Sequence, residues 1–303
     1  MTKIPVILDT DIGRDIDDAW AVAMLLQHQK LEPLLITTAT GETGRRCGIV
    51  HRLLAAAGRT DIALAAGKPI ACNNDVLQYE LVSRDDAPAS YPDAAEAIRD
   101  AVLSRAPQPV TLICIAPQSN IAEVVARFPE IVPQIDFVAM AGSIEHGVGG
   151  SQGKIAEWNV KCDIAAAQKV FRAPWHSVTI TPLDTCGVVQ LSGNWLEKLR
   201  SSGSLQQELA AQFLAWLHRW DSDGARNIVR SSVPLETTST LFDTVAIHLA
   251  CSHDFLAMQE MKLVVDDGGF LREAPDGTIV NVARSWRDLP GYRQMLEQTI
   301  LKM

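Results

Sequence analysis

Short apolar runs alternate along the chain with stretches in which apolar residues recur every three or four positions. PVILD (5–9), PLLITT (33–38), IALAAG (62–67), PVTLICIA (109–116), IDFVAMAG (135–142) and SVTITP (177–182) read as strands. Most are nearly uninterrupted in hydrophobicity, as parallel strands covered on both faces are. Helical periodicity fills residues 18–29, 43–57, 93–105, 118–128 and 162–172 between them. This alternation predicts an open α/β fold, a predominantly parallel central sheet flanked by helices. After residue 190 the pattern turns helical, over about 192–202, 204–220 and 240–251. This added helical region is expected over the C-terminal ends of the strands. EMKLVV (260–265) and TIVNVA (278–283) read as two late strands, and 288–302 as a closing helix. No Gly/Ser/Pro linker, repeat or low-complexity tract intervenes, so residues 1–303 are expected to form a single domain.

Composition narrows the classes of function. With 47% hydrophobic residues the chain can build a sizeable core, and its net charge of −9 argues against nucleic-acid polymers and anionic membrane surfaces. The six cysteines (47, 72, 114, 162, 186, 251) form no C-x-x-C pair. Cys114 and Cys251 sit in apolar runs and read as small buried hydrophobes, so a reducing cytoplasm is expected. The first residues lack a basic n-region, a long apolar h-region and an A-x-A site, so no secretory signal is expected. No uncharged stretch approaches the ~18 residues of a membrane span.

The candidate chemistry begins at DTDIGRDIDDAW (9–20), where Asp9, Asp11, Asp15, Asp17 and Asp18 follow the apolar Val6-Ile7-Leu8. Two carboxylates ~4 Å apart repel by roughly 1 kcal/mol in water and roughly 4 at an effective dielectric near 20. Such a cluster needs a cation, shared protons or full exposure. It falls at the carboxyl end of a strand, where open α/β sheets bind ligands. Asp17 or Asp18 alone would be a routine first-turn acid, but that does not explain five. An EF-hand loop fails, because the glycine falls at position 5 rather than 6, position 12 is Trp20, and a strand precedes it. Haloacid-dehalogenase-like phosphatases also place D-x-D after a first strand, with Asp266-Asp267 as a possible later acidic motif. That alternative would use Mg²⁺ and release phosphate; it leaves Asp17-Asp18 unexplained.

Asp9-Thr10-Asp11, then Asp17-Asp18-Ala19, resembles the Asp-x-Asp-Pro-Gly-x-Asp-Asp-Ala motif of the inosine–uridine nucleoside hydrolase family, with a turn two residues longer. The resemblance continues through ITTATGE (36–42), PVTLICIAPQSNIA (109–122), VAMAGS (138–143), AEWNVKCDIAAAQKVF (156–171), TPLD (181–184) and FDTVAI (242–247). It covers nearly the whole chain. It implies calcium-dependent hydrolysis of the N-glycosidic bond of ribonucleosides to base and ribose, in a homodimer or homotetramer. By the same resemblance, Asp11, Asp18, Asp243 and the carbonyl of Ile115 hold Ca²⁺, and Asp11 is the general base. Asp17, Met140, Glu157 and Asn159 meet the sugar, with Asp9 supporting them.

The chain departs from the family pattern in places. Glu42 stands where Asn is usual, Phe242 where His often precedes the last metal Asp, and residues 73–92 lack the family's His-Gly segment. The ribose and metal half therefore reads as intact and the base-binding half as rewritten. Trp216, Trp220, Arg226 and Arg230 lie in the region that covers the base in relatives. Trp216 and Trp220, at i and i+4, also read as one core-facing helix stripe, with stacking on a nucleobase as the alternative. Asp15 has no counterpart and is expected in solvent, and Asp163 reads as a helix-start acid. His146 and His218 are distant in sequence and could serve as leaving-group acids only if folding delivered them. From another class, the chain would be a catalytically weak ribose or nucleoside binder that kept its metal site.

Overall fold

Val6, Ile7 and Leu8 are fully buried, and successive side chains enter different cores. Val6 and Leu8 join one apolar cluster and Ile7 the other. A period-2 strand with an apolar layer on each face is the physical meaning of the uninterrupted run. In this computed structural model, which describes residues 2–70, 78–82, 90–222 and 236–301, the strand is β1 (Ile4–Thr10). The others are β2 (Leu31–Thr38), β3 (Ala63–Ala66), β4 (Val110–Cys114), β5 (Ile135–Met140), β6 (Ser177–Thr181), β7 (Leu256–Val265), β8 (Leu271–Glu273) and β9 (Thr278–Trp286).

These strands make one nine-stranded sheet in the order β3-β2-β1-β4-β5-β6-β9-β7-β8. Pairings from β3 across to β9 are parallel, and β7 and β8 add an antiparallel edge. The first strand has β2 on one side and β4 on the other, so the chain order reverses there. That reversal opens the crevice in which doubly wound sheets bind ligands.

The late region differs from its sequence pattern in detail. EMKLVV is the end of a ten-residue strand, Leu256–Val265. The three-residue strand Leu271–Glu273 that pairs with it was not foreseen, because so short a run carries no period. The stretch 162–172 starts with a separate short helix, Trp158–Cys162, and Asp163 then caps Ile164–Phe171 by accepting from the Ala166 N–H at 3.0 Å. After residue 190 the helix Ser204–Ser222 packs on Asp17–Gln27 and Thr43–Ala56, and Trp195–Ser201 packs on Ser204–Ser222. Trp195 joins these layers, with ring centroids 5.7 Å from Trp20 and 4.7 Å from Phe213. No described helix is long and apolar enough to cross a membrane. Cys47, Cys114 and Cys186 are free and buried, and Cys251 is free and half-buried. Cys162 is disulfide-bonded, which the scattered cysteine spacing did not predict.

Candidate active site

The aspartate turn is braced by its neighbours on both sides. Asp9 is fully buried in the middle layer of the sheet, accepting from Thr37 Oγ1 at 2.6 Å and Asn120 Nδ2 at 2.8 Å. It therefore ties β1 to β2 and to the helix after β4. Thr10 Oγ1 donates to the Asp18 carboxylate and accepts from the Ile12 N–H at 3.1 Å. Gly13, at φ +114°, lets the chain reverse where a side chain would be strained. Helix Asp17–Gln27 then begins with both acids in its first turn, at the positive end of the macrodipole. Beneath the turn lies fully buried Arg46, which donates from Nε to Thr40 O (2.8 Å) and from Nη1 to Ile12 O (2.7 Å) and to Asp11 O.

A cavity of about 450 Å³ opens above this turn. Its floor carries Asp11, Asp17, Asp18, Asp243 and Ile115, and its walls include Met140, Glu157, Trp158, Asn159 and Phe242. Burial pushes the Asp11 carboxyl up to about 6, against the opposing Arg46 charge. Burial first raises Asp17, Asp18 and Asp243 well above the carboxylate range, and like charge adds to it, chiefly from Asp15 on Asp17, from Asp11 on Asp18, and from Asp17 and Asp18 on Asp243. Ligand oxygens of Asp17, Asp18 and Asp243 all lie within 4.8 Å of one another. An oxygen-only set of buried, mutually repelling carboxylates suits a hard divalent cation.

The segment expected to meet the sugar is equally ordered. Glu157 caps helix Trp158–Cys162, accepting from the Asn159 N–H at 2.7 Å, Gly142 N–H at 3.0 Å and Val160 N–H at 3.3 Å. Burial raises it to about 7 despite those three donors. Asn159 donates from Nδ2 to Met140 O at 3.2 Å, which fixes the amide against the strand end.

The structure thus gathers Asp11, Asp17, Asp18, Ile115, Met140, Glu157, Asn159, Phe242 and Asp243 around one cavity. Asp17, rather than Asp11, completes the close carboxylate group. Asp15 is exposed, as expected, yet it borders the cavity and its charge raises both Asp11 and Asp17. Glu42 stays outside the cavity lining; it is exposed and pairs with Arg45 at 3.5 Å. Trp216 is core, tilted against Phe213 at 5.8 Å, because its helix packs on the first two helices. The side chain of Trp220 lies outside the described residues, as do Arg226 and Arg230. His146 pairs with Asp184 (3.5 Å) and His218 is exposed, so neither lines the cavity. Asp266 and Asp267 sit in the β7–β8 turn, where Asp266 pairs with Arg272 at 2.9 Å. They are therefore no partners for Asp9 and Asp11, and the phosphatase alternative loses its second motif.

Sequence reasoning missed Arg46, Arg14, Trp158 and Lys161. The last three border the cavity, and Arg14 lies in the lengthened turn that signalled a local change. Arg46 gave no signal, because an arginine beside Arg45 in a helical stretch reads as a solvated face.

The family description "Inosine-uridine preferring nucleoside hydrolase" matches residues 6–295 of the chain. The chain is 33% identical to the non-specific ribonucleoside hydrolase RihC of Escherichia coli (strain SE11) over 251 residues, 72% of this chain and 80% of that protein. Its fold is similar to that of a plant nucleoside hydrolase, PpNRh1, with a TM-score of 0.78 and 18% identity over 99% of both chains. It is also similar to the fold of a purine-preferring ribonucleoside hydrolase from Gardnerella vaginalis, with a TM-score of 0.76 and 20% identity over 98% of both chains.

Proposed function

The chain belongs to the inosine-uridine preferring nucleoside hydrolase family, and from that membership we propose that it hydrolyses the N-glycosidic bond of ribonucleosides with the help of calcium. The observation that carries the proposal is one cavity with a floor of buried, repelling carboxylates and a wall bearing Glu157, Asn159 and Met140. Asp18 and Asp243 would hold the ion, with Asp11 and the Ile115 carbonyl completing the set. A bound calcium supplies the positive charge that keeps these carboxylates ionised and acidifies a nearby water.

The chain's own groups do the rest. Asp11, biased toward its charged form by Arg46, takes the proton of the attacking water. Asp17, Glu157 and Asn159 hold the ribose hydroxyls, and Met140 packs on the sugar ring. Negative charge around the cavity favours the oxocarbenium-like sugar through which such hydrolysis passes. Phe242 presents an apolar face to the departing base.

A panel of nucleosides assayed for released ribose, beside elemental analysis of the purified protein, tests this. Turnover with about one calcium per chain is expected. Tight ribose or nucleoside binding without turnover would instead establish the binder reading, and zinc or no metal in active enzyme would remove calcium.

A further inference from the structure

We propose that the loop between Ser143 and Glu157 reads the 5′ end of the riboside, and that Val148 and Ile155 on it select an apolar group at C5′ over a free 5′-hydroxyl. This rests on the hydrolase reading and names its substrate class. Five large apolar side chains are exposed among the described residues, and two of them, Val148 (51%) and Ile155 (41%), line the same cavity. Apolar side chains scattered singly on a surface need no explanation. These two form a pair on one rim. Ile155 Cγ2 comes within 3.4 Å of where a Cβ on Gly147, the residue before Val148, would stand.

The loop's own hydrogen bonds fix this rim. Asp184, whose side chain is 2% exposed, accepts from the backbone N–H groups of Ile144 (2.8 Å), Glu145 (2.8 Å) and His146 (3.1 Å). Ser143 Oγ donates to His146 O at 2.7 Å and accepts from the Ile155 N–H at 3.1 Å, which fastens the two ends of the loop together. The Gly149 N–H donates to Gly187 O at 3.0 Å. A rim ordered in this way loses little entropy when a ligand covers it. Asp184 does not line the cavity; it is a positioning residue that acts through the loop.

The chemistry of the rim names the group it takes. Between Ser143 and Glu157 the cavity is lined by Val148, Ile155 and Ala156, none of which has a polar side chain. The Ile155 N–H is already engaged by Ser143. A hydroxyl placed there gives up water without gaining a side-chain partner, whereas a methyl or thioether group sheds apolar surface. The hydrolase reading gives the vicinal 2′- and 3′-hydroxyls to Asp17, Glu157 and Asn159. C5′ branches from C4′, on the other side of the ring oxygen from the base. Ile155 and Ala156 directly precede Glu157, so the rim adjoins the sugar, while Phe242 reaches the cavity from a different element, beside Asp243.

The test measures kcat/KM for inosine, uridine and adenosine and for their 5′-deoxy and 5′-methylthio counterparts. Within each base the apolar substrates are expected to be preferred by about fourfold or more, the equivalent of one buried methylene. This ratio should fall toward one in V148S and in I155S, where the exposed side chains leave folding undisturbed. It should also fall in D184N, which holds the loop with a weaker acceptor; a loss shared equally by all substrates would overturn the positioning role of Asp184. Calorimetry of adenosine against 5′-methylthioadenosine reads the rim without turnover. Tighter binding of the thioether alongside no cleavage of any riboside would sink the hydrolase reading and leave the rim standing. Equal or better use of the 5′-hydroxyl substrates, or a preference unchanged in both V148S and I155S, overturns the proposal. So does a response of these two variants to the base alone, with the 5′ group held constant.

Discussion

Replacing Arg46 by methionine should be the most damaging change to the site among residues that do not themselves line the cavity. The guanidinium is fully buried and holds three carbonyls at once: Thr40 at 2.8 Å, Ile12 at 2.7 Å, and Asp11. Thr40 sits at φ +62°, a left-handed conformation that non-glycine residues rarely adopt, so its loop needs an external hold. Hydrogen bonds to a charged group contribute about 1.5–3 kcal/mol each. Part of that gross gain offsets the desolvation of the guanidinium, and Nη2 is buried without a partner among the described residues. The expected net loss is about 3–5 kcal/mol, because three buried carbonyls lose their donor at about 1–3 kcal/mol each. That is a large share of the ~5–15 kcal/mol typical of a domain.

A second readout separates this from simple packing. Burial raises Asp11 to about 6, and Arg46 is the strongest influence opposing that rise. Without Arg46, Asp11 keeps its proton to higher pH, so the acid limb of kcat/KM should move upward. Arg46→Lys keeps the charge but cannot span three carbonyls, and it should recover the limb more than the stability. Urea denaturation and pH–rate profiles of both variants provide the measurement. If Arg46→Met stays within about 1 kcal/mol of wild type and its acid limb does not move, the guanidinium is a bystander.

The other predictions are shorter. Burial raises Asp9 and Glu157 to about 7, so the folded state binds more protons than the unfolded one between the ordinary carboxylate range and that value. Stability of chelator-treated protein should therefore fall as pH rises through that window and level off above it. Excess calcium should raise stability by binding the ionised floor without removing this fall, and melting curves of chelated protein that ignore pH would refute the reasoning. Asp18→Asn and Asp243→Asn should each lose the metal by elemental analysis, whereas Asn159→Ala should keep it and weaken sugar recognition. Wild type should discriminate against 2′-deoxynucleosides, and equal rates would take Asp17, Glu157 and Asn159 out of the sugar site. With Phe242 in the cavity and no histidine lining it among the described residues, a nitrophenyl riboside should be cleaved much faster than inosine or uridine. A natural nucleoside that matches it would show that another donor, such as Lys161, protonates the base.

What the sequence disclosed follows from which forces are local. Val6-Ile7-Leu8 announces a doubly buried strand because both faces must be apolar, and that needs no knowledge of its partners. The crowding of aspartates is legible for the same reason, since charges that repel in any fold must be compensated in this one. Asp163 at a helix start is likewise local chemistry. The failures are tertiary. Arg46 and Arg45 are adjacent and chemically alike, yet one is fully buried and the other is half-buried and pairs with Glu42. Trp216 could have faced a base or a core, and only the packing of its helix on Asp17–Gln27 and Thr43–Ala56 decides for the core. Asp15 met its expectation of exposure and still borders the site, because the mouth of the cavity is itself open to solvent.

Asp243 shows how the two kinds of information combine. It occupies the residue before helix Thr244–Leu249, where a carboxylate normally accepts from the first backbone N–H groups and stabilises the helix by about 1 kcal/mol. Its side chain makes no such cap. It lies instead against Asp17 and Asp18, where burial and like charge both oppose its ionisation. Thr10 and Arg46 draw Asp18 back toward its ionised form, whereas the leading influences on Asp243 all oppose ionisation. A side chain that forgoes a favourable local contact to approach two like charges is not where folding alone would leave it. The missing compensation must come from outside the chain, and with carboxylate oxygens as the only donors it must be positive.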